Sequence, residues 1–391
     1  LHGSSAASDV YKRQVLLMTS SRYKVCITLG TRPEAIKLAP VIQKFRNSEA
    51  FDTHVILTGQ HKEMVEQVMQ LFEITADEDL NIMQPKQTLT DITHRSLQGL
   101  EGIFKRIQPD CVIVQGDTTT AFAATLAAFY QQIAIGHVEA GLRTDNIYNP
   151  YPEEANRRLI SQLAQLHFAP TKLAVENLGR SGVTGEVHLT GNTVIDALLT
   201  VADKQPNCDV EGLDWNQYRV LLATVHRREN WGKPLEDILK GFHLILDKFP
   251  DTALLLPMHR NPTVREPIQA ALSNHPRVFL TEPLDYGELV GAIQRCYLLL
   301  TDSGGLQEEA PSLGKPVLVL RETTERPEAV DAGTAKLVGT DYQNIVSNSS
   351  ELLSDKLAYE QMANAVNPFG DGKASDRILE IVQRYLGELN E

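Results

Sequence analysis

Three carboxylates stand where buried segments end or helices begin: Asp117, Glu139 and Glu153. Carboxylates placed at such points can take up and return protons. His226 follows an apolar run and can act as an acid, a base or a phosphate donor. Arg32 and Lys37 accompany a Gly30-Thr31-Arg32-Pro33 turn. A helix that starts there, with Pro33 in its first turn, suits an anionic oxygen. Ser303-Gly304-Gly305 follows another apolar run, and such a turn offers backbone N–H groups to a phosphate. Glu309, about one turn later, could accept from a pair of ribose hydroxyls. Together these residues describe a cleft that holds a diphosphate and manages protons.

Each signal has a plainer reading. Asp117 could cap the helix that follows it. Glu153 and Arg157 are four residues apart and could form a surface ion pair. Glu139 is harder to explain as a cap, because Ala140-Gly141 follows it. His137, inside an apolar run, reads as a core histidine. Ser303-Gly304-Gly305 could be an ordinary turn. Neither GxGxxG after a strand nor a Walker A pattern occurs.

Short apolar runs alternate with longer amphipathic stretches. The first set is Lys24–Leu29, His54–Leu57, Cys111–Val114 and Ile133–Val138, with shorter runs at His167–Ala169 and Val187–Thr190. Helical patterns lie between them, among them Glu63–Phe72, Leu89–Arg106, Ala121–Tyr130 and Glu153–Leu166. The alternation restarts after the polar stretch Asp203–Trp215. The second set is Val220–Thr224, Ala253–Leu256, Val278–Leu280, Tyr297–Leu300 and Val317–Leu320. Strand–helix alternation with buried strands predicts an α/β fold of parallel sheets covered on both faces. Two doubly wound domains in tandem are expected, residues 22–195 and 196–366, with residues 367–391 forming a helix that packs back on the first. Ligands of such sheets bind beyond the carboxyl ends of the strands.

The chain has 391 residues, 42% hydrophobic and 22% charged. Single cores stop growing at about 250–300 residues, so more than one domain is expected. Lys plus Arg is 37 and Asp plus Glu is 50, a net charge of −13. That balance argues against a nucleic-acid binder. Cys26, Cys111, Cys208 and Cys296 lack ligand spacing, and Cys26 and Cys111 read as buried thiols, so zinc and disulfides are not expected. No apolar run is long enough to span a membrane, and a cytoplasmic location is expected. Residues 1–21 read as an artefactual or disordered leader: Leu1 to Gln14 match no later pattern, and Met18 is a more natural start.

The motifs together resemble the non-hydrolysing UDP-N-acetylglucosamine 2-epimerase family. The matching stretches are GTRPEAIKLAP (Gly30–Pro40), GDTTT (Gly116–Thr120), GHVEAGLRT (Gly136–Thr144), PEEANR (Pro152–Arg157), GNTVIDAL (Gly191–Leu198), HRREN (His226–Asn230), TDSGGLQEEAPSLGKPV (Thr301–Val317), TTERPEAV (Thr323–Val330) and NPFGDGKAS (Asn367–Ser375). The resemblance implies two Rossmann-like domains in the glycosyltransferase-B arrangement, with a central cleft. It also implies a homodimeric isomerase that interconverts UDP-GlcNAc and UDP-ManNAc.

Carried over by position, Arg32, Ser303, Gly304, Gly305, Glu309 and Arg326 would hold UDP, with Leu284 and Leu289 at the uracil. Lys37, Asp117, Glu139, Glu153, Arg157 and His226 would surround the sugar and the scissile bond. The resemblance also implies a second UDP-GlcNAc acting as activator beside Gln60, Glu63, Lys86, Glu153, Arg227 and His259. Some members carry Gln at the position of Glu63 and Arg at that of Lys86.

Inverting C2 of an N-acetylhexosamine is difficult because its proton is not next to a carbonyl. Eliminating UDP from C1 makes that proton acidic and gives a 2-acetamidoglucal; adding UDP back gives the epimer. This route requires neither metal nor redox cofactor. A hydrolysing variant, a UDP-sugar glycosyltransferase and a nucleotide-sugar binder without turnover are the rivals. The several carboxylates disfavour a pure binder.

Overall fold

The computed structural model describes residues 22–60 and 62–389. The leader expected over residues 1–21 lies outside the described residues. Two parallel sheets organise the rest. The first contains β1 (Tyr23–Leu29), β2 (Phe51–Leu57), β3 (Glu78–Asp79), β4 (Cys111–Gln115), β5 (Ala134–Val138), β6 (Leu166–Ala169) and β7 (Glu186–Leu189). Its order is β3-β2-β1-β4-β5-β6-β7, every pair parallel. The second contains β8 (Arg219–Thr224), β9 (Thr252–Pro257), β10 (Val278–Thr281), β11 (Leu298–Thr301), β12 (Val317–Val319) and β13 (Ala335–Leu337). Its order, β10-β9-β8-β11-β12-β13, is also parallel throughout.

In both sheets the strand order reverses between the first strand and the one that follows the first half. The switch points are therefore β1/β4 and β8/β11. Residues just past those four strands are Gly30, Gly116, Val225 and Asp302, next to the chemistry-bearing motifs. A topological switch point is where helices leave on opposite faces and open a crevice.

Local sequence explains the helices at these points. Thr31 caps helix Arg32–Arg46, and Glu34 completes a capping box. Ala35, Leu38, Ala39, Ile42 and Phe45 recur at helical spacing and are buried. Helix Thr119–Tyr130 is capped by Thr118, whose side chain accepts from the Ala121 N–H, so Asp117 is not the cap. Apolar side chains cover both faces of each sheet, as the uninterrupted apolar strands require.

Helix Thr193–Asp203 is shared between the two halves. Ala197, Leu198, Val201 and Ala202 join the first core, while Val194 and Ile195 join a core of the second. Helix Ala374–Glu388 places Ile378, Val382 and Leu386, at spacing i, i+4, i+8, in the first core. Buried Asp196 holds its start by accepting from the N–H groups of Ala374 and Ser375, at 3.2 and 2.7 Å. No helix among the described residues is long and apolar enough to cross a membrane.

Candidate active site

A cleft of about 980 Å³ opens where the two switch points face each other. Its walls include Lys37, Gln60, Asp117, Glu139, Glu153 and Arg157 from the first half, and His226, Arg227, Ser303, Gly304, Gly305 and Arg326 from the second. Arg32, Glu63, Lys86, His259, Leu284, Leu289 and Glu309 are not among its lining residues. Arg32, Glu63 and Lys86 are exposed. Leu284 and Leu289 are half-buried against a core of the second half. His259 adjoins the cleft by stacking on His226, ring centroids 6.2 Å apart. Glu309 lies just behind the glycine turn, where a Cβ on Gly305 would come 3.5 Å from its Oε1.

Glu139 follows β5 with a φ of 62°, a conformation uncommon for a residue with a side chain. Lys37 Nζ lies 2.6 Å from each of its carboxylate oxygens. Gln115 donates to Oε2 and Asn192 to Oε1, the latter at 3.3 Å. Asn192 also donates to Glu308 at 2.8 Å, and Glu308 accepts from Arg326. Two ion pairs, Lys37–Glu139 and Arg326–Glu308, are thus joined across the two halves of the molecule by the neutral Asn192 amide. Burial opposes the charge on Glu139, but Lys37, Arg326 and the Asn192 amide outweigh it and hold its pKa below the usual value. Burial also opposes the charge on Lys37; Glu139 and Glu308 overcome it and hold the ammonium.

Asp117 sits in a different environment. Arg157 Nη2 donates to its Oδ2 at 2.5 Å, and Asn156 donates to its backbone carbonyl at 2.9 Å. Burial pushes its pKa up; Arg157 opposes the rise and the nearby charge on Glu139 adds to it. The two carboxylates are therefore displaced in opposite directions, a pattern that separates acid and base roles in one cleft. The expected surface pair between Glu153 and Arg157 does not form. Arg157 turns inward to Asp117 and to buried Glu154, which also accepts from Arg158 at 2.7 Å.

His226 is anchored by a neighbour. Its Nδ1 lies 2.7 Å from Oδ1 of fully buried Asp302. Gly304 and Gly305 open a short helix whose first N–H groups lack intrahelical acceptors. The Ser303 N–H is not available in the same way, because it donates to Thr301 Oγ1 at 2.9 Å. Burial, reinforced by the charge on Glu308, pushes Glu309 up to about 8, and Tyr286 donates to it at 3.3 Å. His137 is a core histidine as expected: its Nε2 lies 2.7 Å from the Gly116 carbonyl, and burial lowers its pKa to about 3. All four cysteines are free and buried.

Sequence reasoning missed four participants. Asp302 and Glu308 adjoin residues it did single out, and a carboxylate directly after a buried strand was the available signal for Asp302. Asn192 bridges two carboxylates across the halves, which no local pattern announces. Glu34 carried a signal in the Thr31-x-x-Glu34 capping box. It accepts from the Gly30 and Thr31 N–H groups and from the hydroxyls of Thr31 and Thr118. Burial raises its pKa to about 6. No group of three or more His, Cys, Asp or Glu side chains suited to a metal ion occurs among the described residues.

Two doubly wound α/β units with facing switch points, and a polar cleft between them, define a protein of glycosyltransferase-B type. Comparison with known proteins narrows the class. Residues 43–383 match the family model described as UDP-N-acetylglucosamine 2-epimerase, and the chain belongs to that family. A UDP-N-acetylglucosamine 2-epimerase of Escherichia coli O157:H7 is 50% identical over 369 residues, covering 92% of this chain and 98% of the relative. The crystal structure of UDP-GlcNAc 2-epimerase from Neisseria meningitidis bound to UDP-GlcNAc superposes with a TM-score of 0.82 at 49% identity, covering 92% of this chain and all of the other. The glycotransferase of kitacinnamycin, at 12% identity and TM-score 0.63, covers 93% of this chain and 99% of its own and shares the fold alone.

Proposed function

We propose that this chain interconverts UDP-GlcNAc and UDP-ManNAc without net hydrolysis, by eliminating UDP and adding it back. The observation that carries the reading is the joint presence of Asp117, Glu139 and Glu153 with Lys37, Arg157, His226, Arg326 and an open glycine turn in one cleft of a family member. A UDP binder needs the cations and the turn; it has no use for three carboxylates opposite them.

In the forward direction the C1–O bond breaks and its electron pair leaves with UDP. The C2 proton passes to a carboxylate of the cleft, and the C1–C2 double bond of a 2-acetamidoglucal forms. Return of a proton to the other face of C2, with the UDP oxygen re-bonding to C1, gives the epimer. Arg326, His226 and the Gly304–Gly305 N–H groups stabilise the departing diphosphate. Arg32 and Glu309 would complete the UDP contacts on closure, and Leu284 and Leu289 the uracil pocket. Closure of the two halves retains the intermediate and excludes water.

A second UDP-GlcNAc as activator would sit beside the first, because Gln60, Glu153 and Arg227 border the same cleft and His259 stacks on His226. Glu63 and Lys86 would reach it only after closure. A homodimer is proposed through the first half, where Phe129, Tyr130 and Leu159 are exposed apolar side chains; sedimentation velocity tests it.

The central test incubates the protein with UDP-GlcNAc in deuterated water, without acceptor. UDP-ManNAc carrying deuterium at C2 is the expected product. Free ManNAc and UDP as the only products would establish a hydrolase, and unchanged substrate would leave a binder or an acceptor-dependent transferase.

A further inference from the structure

Asp302 follows β11 directly and is fully buried beside the end of β8. Its Oδ2 accepts from the backbone N–H groups of His226 and Arg227, both at 2.8 Å, and from Asn230 Nδ2 at 3.0 Å. Its Oδ1 has no well-aligned hydrogen-bond donor, and His226 Nδ1 stands 2.7 Å from it. One oxygen therefore holds the loop and the other is left to face the ring. The loop is held a second time, because Asn230 also donates to the Leu320 carbonyl at 3.1 Å. His226 lines the cleft, and its Nε2 has no hydrogen-bond partner among the described residues.

We infer that Asp302 is a positioning residue that keeps the His226 ring protonated at Nδ1 and its Nε2 turned to the ligand's diphosphate. The assignment of the ligand rests on the reading of the cleft given above. A carboxylate is acceptor-only, so the ring nitrogen facing Oδ1 must carry the hydrogen. The bond made by one ring nitrogen decides the state of the other. Burial opposes the charge on Asp302, but His226 and the two backbone donors overcome it and hold the carboxylate. The remaining groups around the ring do not compete for Nδ1. His259 stacks on its face, and Arg227 is directed to Glu325, 3.6 Å away. When a phosphate oxygen reaches Nε2, the ring has an acceptor at each nitrogen and donates from both. The second proton comes from solvent and returns there when the ligand leaves.

Asp302→Asn separates this role from loop support. Its amide oxygen can still accept from the His226 and Arg227 N–H groups, while its NH2 faces Nδ1 and reverses the ring tautomer. Long-range NMR of protein with 15N-labelled histidine, recorded without ligand near pH 9, about two units above the ordinary imidazole range, reads the tautomer directly. His226→Gln assigns the signal. The expected result is Nδ1–H in the wild type and Nε2–H in D302N, with kcat for UDP-GlcNAc down roughly 10²-fold and KM changed far less. A wild-type ring protonated at Nε2 overturns the proposal, and that measurement needs no folded variant. A reversed tautomer with unchanged kcat overturns it as well. If the tautomers are as expected but the wild type neither binds UDP nor turns over UDP-GlcNAc, the ring assignment stands and the functional reading fails.

Discussion

Lys37 and Glu139 form a near-symmetric ion pair, the ammonium 2.6 Å from both carboxylate oxygens, with side chains 17% and 5% exposed. They come from the helix after β1 and from the end of β5, so the pair ties together two elements 102 residues apart. Removing one partner of a buried pair leaves the other charge without compensation, at a cost of about 3–5 kcal/mol. Lys37→Met is therefore expected to destabilise the chain by an amount in that range, because Glu139 would keep only the Gln115 and Asn192 amides and a distant Arg326. Denaturant unfolding of the unliganded protein measures it. A loss below about 1 kcal/mol, the size of an exposed pair, would mean that the interaction is not buried in solution.

Asp117 and Glu139 are displaced in opposite directions by their surroundings, Asp117 upward and Glu139 downward. On the proposed function both handle the C2 proton and neither is needed for the UDP moiety. Asp117→Asn and Glu139→Gln should each lose most turnover, roughly 10²–10⁴-fold, while calorimetry still detects UDP binding. Near-normal rates in both variants would remove these carboxylates from the catalytic set.

Most of the architecture could be read from periodicity, because a strand buried on both faces must be an apolar run. The elements that escaped carry no such run. β3 is Glu78–Asp79, two charged residues at a sheet edge, and β13 contains Lys336. The division between halves was legible only as a polar stretch, since helix Thr193–Asp203 gives one face to each side. At the site, strand-end motifs located the cleft. What they could not show is which partner each side chain chooses. Arg157 has Glu153 one helical turn away and instead turns to Asp117, 40 residues off, because a carboxylate buried there needs a counter-charge that an exposed one does not. Asn192 and Glu308 meet only through the packing of the two halves.

Glu309 gives the protein a predicted pH signature. Its carboxyl is pushed up to about 8 by burial and by Glu308, from an ordinary value of 4.5. Between those values the unfolded chain has released the proton and the folded chain has not, so this group lowers stability as pH rises and stops doing so above about 8. Glu309→Gln keeps the shape of the neutral acid and cannot ionise. The difference in Tm, variant minus wild type, should grow from pH 5 to pH 8 in the absence of UDP and then level off. Thermal melts across that range check it; a difference that is flat with pH would show that Glu309 ionises normally.

Gly305 offers a test of the glycine turn that separates ligand contact from packing. A Cβ there would meet Glu309 Oε1 at 3.5 Å and Ser303 Oγ at 3.9 Å, both ordinary van der Waals distances, and nothing closer. The unliganded fold therefore tolerates alanine at this position, in contrast to Gly30, where a Cβ would fall 2.3 Å from Thr58 Oγ1. If the turn receives the diphosphate, the added methyl occupies space that the phosphate oxygens need. Gly305→Ala should keep the wild-type Tm to within about 2–4 °C, the shift of a 1 kcal/mol change in a domain of about 150–250 residues, and bind UDP at least tenfold more weakly. Calorimetric titration with UDP beside a thermal melt distinguishes the outcomes. Undiminished UDP affinity would move the diphosphate away from this turn and toward the cations of the opposite wall, Lys37 and Arg157.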